Sequence, residues 1–189
     1  MSVSDTLIAI EDSDFDFENR MVRVAIVRDC APFSVIEKNW GPFSEGQEIE
    51  LPYWVAEELI LARVARPKDE DKLDLTALSK VHWKETIPTS RQVPGLEPGF
   101  YPKLRRLLSE LRAQSRSDPT KGRDYEKAVN LSKDIANCRI RKLVSLSAAP
   151  PATQDLMSNL TSEERVLYEN LNKTLLEWRR RILGPEVEQ

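Results

Sequence analysis

The first third of the chain alternates short apolar runs with turn residues. Three runs place apolar and polar side chains at alternate positions: 22–27, 33–36 and 47–51. Alternation of this kind is typical of half-buried strands, and prolines and glycines separate the runs. The pattern predicts a small β-meander or partial barrel. Trp40 and Phe43 are expected to cover its open end, or alternatively to form an exposed docking pair.

Beyond this region the apolar residues recur at steps of three and four, which predicts helices. Five helical segments are expected: 52–64, 73–85, a third from 100 onward, 123–146 and 161–183. Pro52 suits the first position of its helix because it lacks a backbone N–H. We therefore predict an α+β chain, with a small β module over 1–51 and a larger all-α helical domain over 52–189.

The last helix has the clearest pattern. Thr161 and Glu164 form a capping box, in which each side chain accepts a hydrogen bond from the other residue's backbone N–H. After it, large apolar residues form a coiled-coil-like seam: Tyr168, Leu171, Leu175, Trp178 and Ile182. By default such a seam packs into the core of its own chain, and the alternative is that it packs against a neighbouring subunit. Both remain open, because periodicity does not distinguish a core from an interface.

Residues 1–20 are acidic. Asp12, Asp14 and Asp16 match the first ligand positions of an EF-hand calcium loop, but Phe17 stands where that loop needs glycine and Arg23 where it needs glutamate. A calcium site is therefore excluded. The alternating Asp and Phe residues predict a short edge strand or a loose acidic lead-in.

The charge is distributed unevenly. Over residues 1–66 there are 6 Lys and Arg against 13 Asp and Glu, a net charge of −7, although the whole chain carries only −3. Over residues 100–144 there are 12 basic against 5 acidic residues, a net charge of +7. Solvated helix faces explain these basic residues most simply, and a helical nucleic-acid-binding protein that uses the 100–144 stretch is the alternative.

Few residues suit catalysis. The single histidine, His82, lies between Val81 and Trp83 and is expected to be structural. Phosphate-binding glycine loops and nucleophile elbows are absent from the sequence, and the two cysteines lie too far apart in sequence for a zinc ribbon. We also find no apolar run long enough to span a bilayer and no leader. The expectation is a soluble, non-enzymatic protein without cofactor or metal, which binds and organises other molecules.

Several segments resemble subunits of the GINS complex, the tetrameric accessory factor of the replicative helicase. The resemblance rests on these residues: Gly41-Pro42-Phe43, Glu50 to Ala56 with Leu59, Phe100-Tyr101 with Lys103-Leu104 and Leu107-Leu108, Ile135 with Arg139 to Leu143, and Asn159 to Glu164. It covers about residues 22–183. Because the β module precedes the helical one, the chain is most similar to the archaeal form that merges the second and third eukaryotic subunits.

The resemblance implies a non-catalytic scaffold subunit of a heterotetramer. This complex would support the MCM helicase at replication forks, together with a RecJ-like partner. It would act in the archaeal cytoplasm at the nucleoid, or in the nucleus of a eukaryote. The resemblance also implies a subunit interface formed by Tyr168, Leu171, Leu175, Trp178, Ile182, Arg139, Lys142 and Leu143. Pro52 and Trp54 would pack between the two modules. Contacts to the helicase or to DNA would involve Trp40, Phe43, Arg105, Arg106 and Arg112.

Overall fold

The computed structural model describes residues 3–35, 37–68, 72–87, 93–149 and 157–184. The chain divides into two compact units, one of residues 14–72 and one of residues 1–13 together with 73–189. The first contains the strands, and the second is helical. This arrangement confirms the predicted α+β class, with a small β module and a larger helical domain.

The described residues of the β unit form five short strands and one complete helix, preceded by the end of the N-terminal helix. Their bounds are β1 Met21–Ile26, β2 Phe33–Val35, β3 Lys38–Trp40, β4 Glu48–Pro52, α2 Tyr53–Leu61 and β5 Ala65–Pro67. The strands form a three-stranded antiparallel sheet in the order β4-β1-β5 and a separate β2-β3 hairpin. The alternation predicted three of these strands to within a residue or two, but the predicted meander is wrong, because β1 pairs with β4 and β5 instead of β2.

The core of the β unit lies between the sheet and α2. Val24 from β1 and Val55 and Leu59 from α2 are all buried there. Burying each such side chain contributes about 1.5–3 kcal/mol. Because α2 packs on this sheet, it belongs to the β unit, and the boundary predicted between residues 51 and 52 instead falls inside that unit.

Helix α2 begins and ends close to where the sequence suggests, for partly different reasons. Pro52 is the last residue of β4 and the cap residue of α2, one position earlier than predicted. The helix ends at Leu61, and Arg63 then adopts a left-handed conformation with φ 57°. The helix thus ends three residues before the predicted position 64, and the chain continues into β5, whose Pro67 pairs with β1.

The helical unit surrounds one long helix. Its main elements are α3 Leu75–Thr86, α4 Phe100–Ser117, a 3-10 turn Pro119–Lys121, α5 Gly122–Ser147 and α6 Ser162–Leu183. Helices α3, α4 and α6 each pack on α5. The buried residues of α5 follow steps of three and four: Ala128, Ser132, Ile135, Arg139, Leu143 and Ser147. The sequence therefore placed the four long helices correctly, and every end that it predicted lies within about two residues of the observed one; for α4 it predicted only the start.

The N-terminal segment contradicts the expectation of a strand or loose lead-in, because residues Val3–Asn19 form a helix, α1. Ile10, Ser13 and Phe17 are its more buried positions, at helical steps of three and four. Phe17 packs within the β unit against Tyr53, with ring centroids 5.1 Å apart. The alternating Asp and Phe residues gave a misleading period of two, and only one of the two phenylalanines is buried.

Candidate functional site

The start of α6 is fixed by the predicted capping box. The backbone N–H of Glu164 donates to the Thr161 hydroxyl over 3.3 Å, and the backbone N–H of Thr161 donates to the Glu164 carboxylate over 3.2 Å. Two N–H groups that the helix cannot satisfy are thereby bonded. The box sets the rotation of α6 and so determines which side its apolar seam faces.

The seam of α6 is buried at one end and exposed at the other. Tyr168 is only 6% exposed and packs with Leu143 and Leu160. Leu171 and Leu175 are half-buried. Trp178 and Ile182 are 61% and 63% exposed. One face of one helix therefore passes from core to surface along its length.

This gradient arises because α6 extends past the end of α5. Helix α5 ends at Ser147, whose carbonyl accepts a hydrogen bond from the Asn172 amide over 3.0 Å. Eleven residues of α6 follow Asn172, about 16 Å of helix at 1.5 Å per residue. In the described part of the chain this extension keeps four apolar side chains largely exposed: Leu176, Trp178, Ile182 and Leu183. We call it the α6 extension.

Near the capped end of α6, the interior of the helical unit holds a charged cluster. Arg139 on α5 is 1% exposed and donates to both carboxylate oxygens of Glu164, over 2.7 and 2.5 Å. Its third nitrogen donates to Glu85 on α3 over 3.0 Å and to the Pro94 carbonyl over 2.6 Å. Lys142 completes the cluster by donating to Glu85 over 2.7 Å. Two buried carboxylates and two cations thus tie α3, α5 and α6 together.

The surroundings of this cluster change the pKa of Arg139 and that of the neighbouring Tyr101. Burial alone would lower the pKa of Arg139, but its hydrogen bond and attraction to Glu164, together with the charge of Glu85, outweigh burial and raise that pKa. The Tyr101 hydroxyl donates to Glu164 over 2.6 Å. Burial, followed by the charge and hydrogen bond of Glu164, raises the pKa of Tyr101 far above its ordinary value.

We expect Tyr101 to ionise only well above the pH at which a free tyrosine does, because its pKa is raised. Its raised pKa contributes stability that is fully present below about pH 10, the unfolded pKa, and is lost as the pH rises further. Phenolate absorbance should therefore show one group that ionises only when alkali unfolds the protein. That late component should be absent from Tyr101→Phe; if the variant keeps it, the assignment is wrong.

Three residues assigned to the subunit interface lie inside the unit instead, and a fourth is half-buried. Arg139 and Leu143 are each 1% exposed, Tyr168 is buried beside Leu143, and Lys142 is held by Glu85. The assignment of Arg139, Leu143 and Tyr168 is corrected, since side chains enclosed by their own chain cannot contact another subunit. That of Lys142 stays a prediction. The interface residues that remain accessible are Leu171 and Leu175, which are half-buried, and Trp178 and Ile182, which are largely exposed.

The predicted contact pair of the β unit is also internal. Trp40 is 9% exposed and stacks edge-on against Trp54, with ring centroids 6.2 Å apart. Phe43 is half-buried and meets Phe33 at 6.3 Å. Trp40 and Phe43 thus close the β core, as the first interpretation expected, and the exposed docking pair is wrong. Pro52 pairs with Met21 in the sheet, and the inter-module role of Pro52 and Trp54 stays a prediction.

The three arginines predicted to contact the helicase or DNA lie on α4. Arg112 is exposed, whereas Arg105 and Arg106 are half-buried. Arg105 lies 4.0 Å from Glu163, so part of its charge is compensated. Within the basic stretch 100–144, Lys103 and Arg139 are buried and Lys142 is paired, which lowers the positive charge that this stretch presents to solvent.

The remaining candidate chemistry is sparse. His82 is half-buried and lies 3.4 Å from Asp134, a partly exposed pairing that fits the expected structural role. Among the described residues there is no cluster of three or more His, Cys, Asp or Glu side chains that could hold a metal ion. The described helices include none that is long and apolar enough to cross a membrane.

Comparison with known proteins identifies the helical part. The Sld5 family model, described as the GINS complex protein helical bundle domain, matches residues 54–183. This match covers more than half of the chain and includes α5, the charged cluster and α6. A search of curated proteins finds no match. Proteins of this family are non-catalytic replication factors that assemble with other subunits of their complex. The chain belongs to the GINS family, the subunits of the GINS complex of DNA replication.

Proposed function

We propose that this protein is a non-catalytic scaffold subunit of a GINS-like heterotetramer that supports the replicative MCM helicase at replication forks. The observation that carries this proposal is the α6 extension, which keeps Trp178 and Ile182 largely exposed on an otherwise regular helix. Large apolar surfaces of this kind mark protein interfaces in soluble proteins. A second subunit that packs along the extension would bury them.

The finer identity of the subunit is part of the same proposal. A β unit that precedes the helical bundle, together with the residues Leu51 to Ala56, favours the archaeal type that merges the second and third eukaryotic subunits. The partners would then be the other GINS subunit, the MCM helicase and a RecJ-like protein, and the complex would act at the archaeal nucleoid, or in the nucleus for a eukaryotic chain. The rigid cluster around Arg139 would hold the helices in place for these contacts.

Co-expression with the other archaeal GINS subunit tests the proposal directly. Light scattering of the purified product should give a mass near four chains, because the α6 extension requires a partner surface. This chain alone should self-associate or bind an apolar dye through the same surface. A stable monomer that ignores the partner subunit would overturn the proposal.

A helical nucleic-acid-binding protein that uses residues 100–144 is less well supported. Several of its basic side chains are internal, as described above, and the overall charge is negative. Reversing the charge of Arg112, which is exposed, should therefore leave tetramer assembly unchanged. Assembly that fails in Arg112→Glu would place the interface on α4 instead of α6.

A further inference from the structure

The outward face of α3 carries an exposed tryptophan between two lysines. Trp83 is 66% exposed, and Lys80 and Lys84 are both exposed beside it. Residues three and four apart in a helix are surface neighbours, which places Thr76, Lys80 and Trp83 in one stripe. The stripe ends at Ile87, the cap residue that follows the helix. The opposite face of α3 packs on α5 through the buried Leu78 and Glu85. The stripe therefore has no role in holding α3 against α5.

The charge of this face is positive, and no carboxylate of the described residues pairs with its lysines. The only carboxylate within α3 is Glu85, which is buried and neutralised by Arg139 and Lys142. Asp74 caps the start of the helix by accepting from the Ala77 N–H over 2.6 Å, and Asp134 of α5 pairs with His82 on the flank. Within the described part of the chain, no ion pair involves Lys80 or Lys84. Both ammonium groups are available to an anion.

We propose that Trp83, Lys80 and Lys84 form a contact site for single-stranded nucleic acid. An indole with a free face stacks with any base, and flanking cations bind the phosphates of the same strand. Lys80 and Lys84 lie about 6 Å apart along the helix axis and on either side of Trp83 in sequence, so one stacked nucleotide can meet both. The site is independent of the proposed subunit interface, which lies on α6.

The composition of the stripe favours a nucleic acid over an acidic protein segment. Protein interfaces bury their anchoring tryptophan among apolar neighbours and contain few lysines. Trp83 instead has lysines and threonines around it, and Ile87, 37% exposed, is the one apolar neighbour in the stripe. Desolvating two lysines to bury one indole would be costly, whereas phosphates bind lysine at a solvated surface.

The test measures the binding of a fluorescently labelled oligo-dT by fluorescence polarisation. The protein is the full chain, or its complex with the partner subunit if the two assemble. Trp83→Ala should weaken binding about 5- to 100-fold, the range for loss of one stacked base, and Trp83→Phe should retain most of the affinity. Lys80→Glu with Lys84→Glu should lower the slope of log affinity against log salt by about 1.4. Lys127→Glu with Lys133→Glu, two exposed lysines of α5, is the matched control and should change binding little.

Three outcomes would overturn the proposal. Equal affinity of Trp83→Ala and the unaltered chain would exclude stacking on this residue. An abasic oligomer that binds as tightly as oligo-dT, with the same dependence on Trp83, would exclude base recognition. Polyglutamate that binds with an equal dependence on Trp83 would assign the face to an acidic protein partner. Because Trp83 is exposed, its substitution should preserve the fold, which circular dichroism verifies.

Discussion

Substituting methionine for Arg139 should lower the free energy of unfolding by about 3–5 kcal/mol, the largest effect expected from any single change in this protein. The variant removes the partner of Glu164 and one partner of Glu85 while leaving both carboxylates buried. An unpaired buried charge costs far more than a paired one gains. Urea denaturation followed by circular dichroism measures the loss as a lower midpoint at an unchanged slope.

Arg141→Met is the matched control, since Arg141 lies two residues further along α5 and is exposed. Its only described bond is to the Asn137 carbonyl, one turn back on the same helix. The control should change the free energy of unfolding by no more than about 0.5 kcal/mol. Adding Glu164→Gln to Arg139→Met should recover part of the loss, because one uncompensated charge is then removed. Equal stabilities of the Arg139 and Arg141 variants would show that the cluster is not energetically important.

The sequence indicates which side of α5 carries Arg139, but not that this side chain is buried. Helical periodicity placed it on the same side of α5 as Ile135 and Ala128, which are both fully buried. A charged residue on such a face suggests a surface or an interface, because isolated charges are costly to bury. Its partners lie 25 and 54 residues away in sequence, and no local pattern shows that three helices bring them together.

In the β unit, too, the sequence predicted some of the strands but not how they pair. Alternation identified β1, β2 and β4, but it missed β3 and β5, three-residue strands that lie outside any longer alternating run. The pairing of β1 with β4 brings residues 23 to 31 positions apart in sequence into register. Such pairing depends on long-range packing, and consecutive strands suggested a meander instead. The burial of Trp40 against Trp54 follows from this packing.

The sequence predicted the apolar seam of α6, but not the change of its side chains from buried to exposed along the helix. The spacing of its large residues gave the correct face, and the capping box gave the correct start. Which part of that face is covered depends on where α5 ends beside it. Ser147 is that end, and it meets Asn172 of α6, so Tyr168 is enclosed while Trp178 is not. The length of a neighbouring helix cannot be obtained from the periodicity of α6.

Replacing Trp178 by alanine should therefore break assembly without harming the fold of the chain itself. A tryptophan at the centre of an interface commonly contributes at least about 2 kcal/mol to binding, which corresponds to a roughly 30-fold weaker association. Within its own chain Trp178 is largely exposed, so its loss should change the free energy of unfolding by no more than about 0.5 kcal/mol. Sedimentation of the co-expressed subunits measures the first effect, and denaturation of the isolated chain measures the second.

Lys173→Ala is the control, because Lys173 is an exposed polar residue of α6 just past Asn172 and outside the apolar seam. It should assemble as the unaltered chain does. Ile182→Ala, one turn beyond Trp178, should weaken assembly in the same direction but by less, since a smaller apolar area is lost. If Trp178→Ala and Lys173→Ala assemble equally well, the α6 extension is not the interface. If Trp178→Ala instead unfolds the isolated chain, the indole is part of the core, and the gradient of burial along α6 has to be rejected.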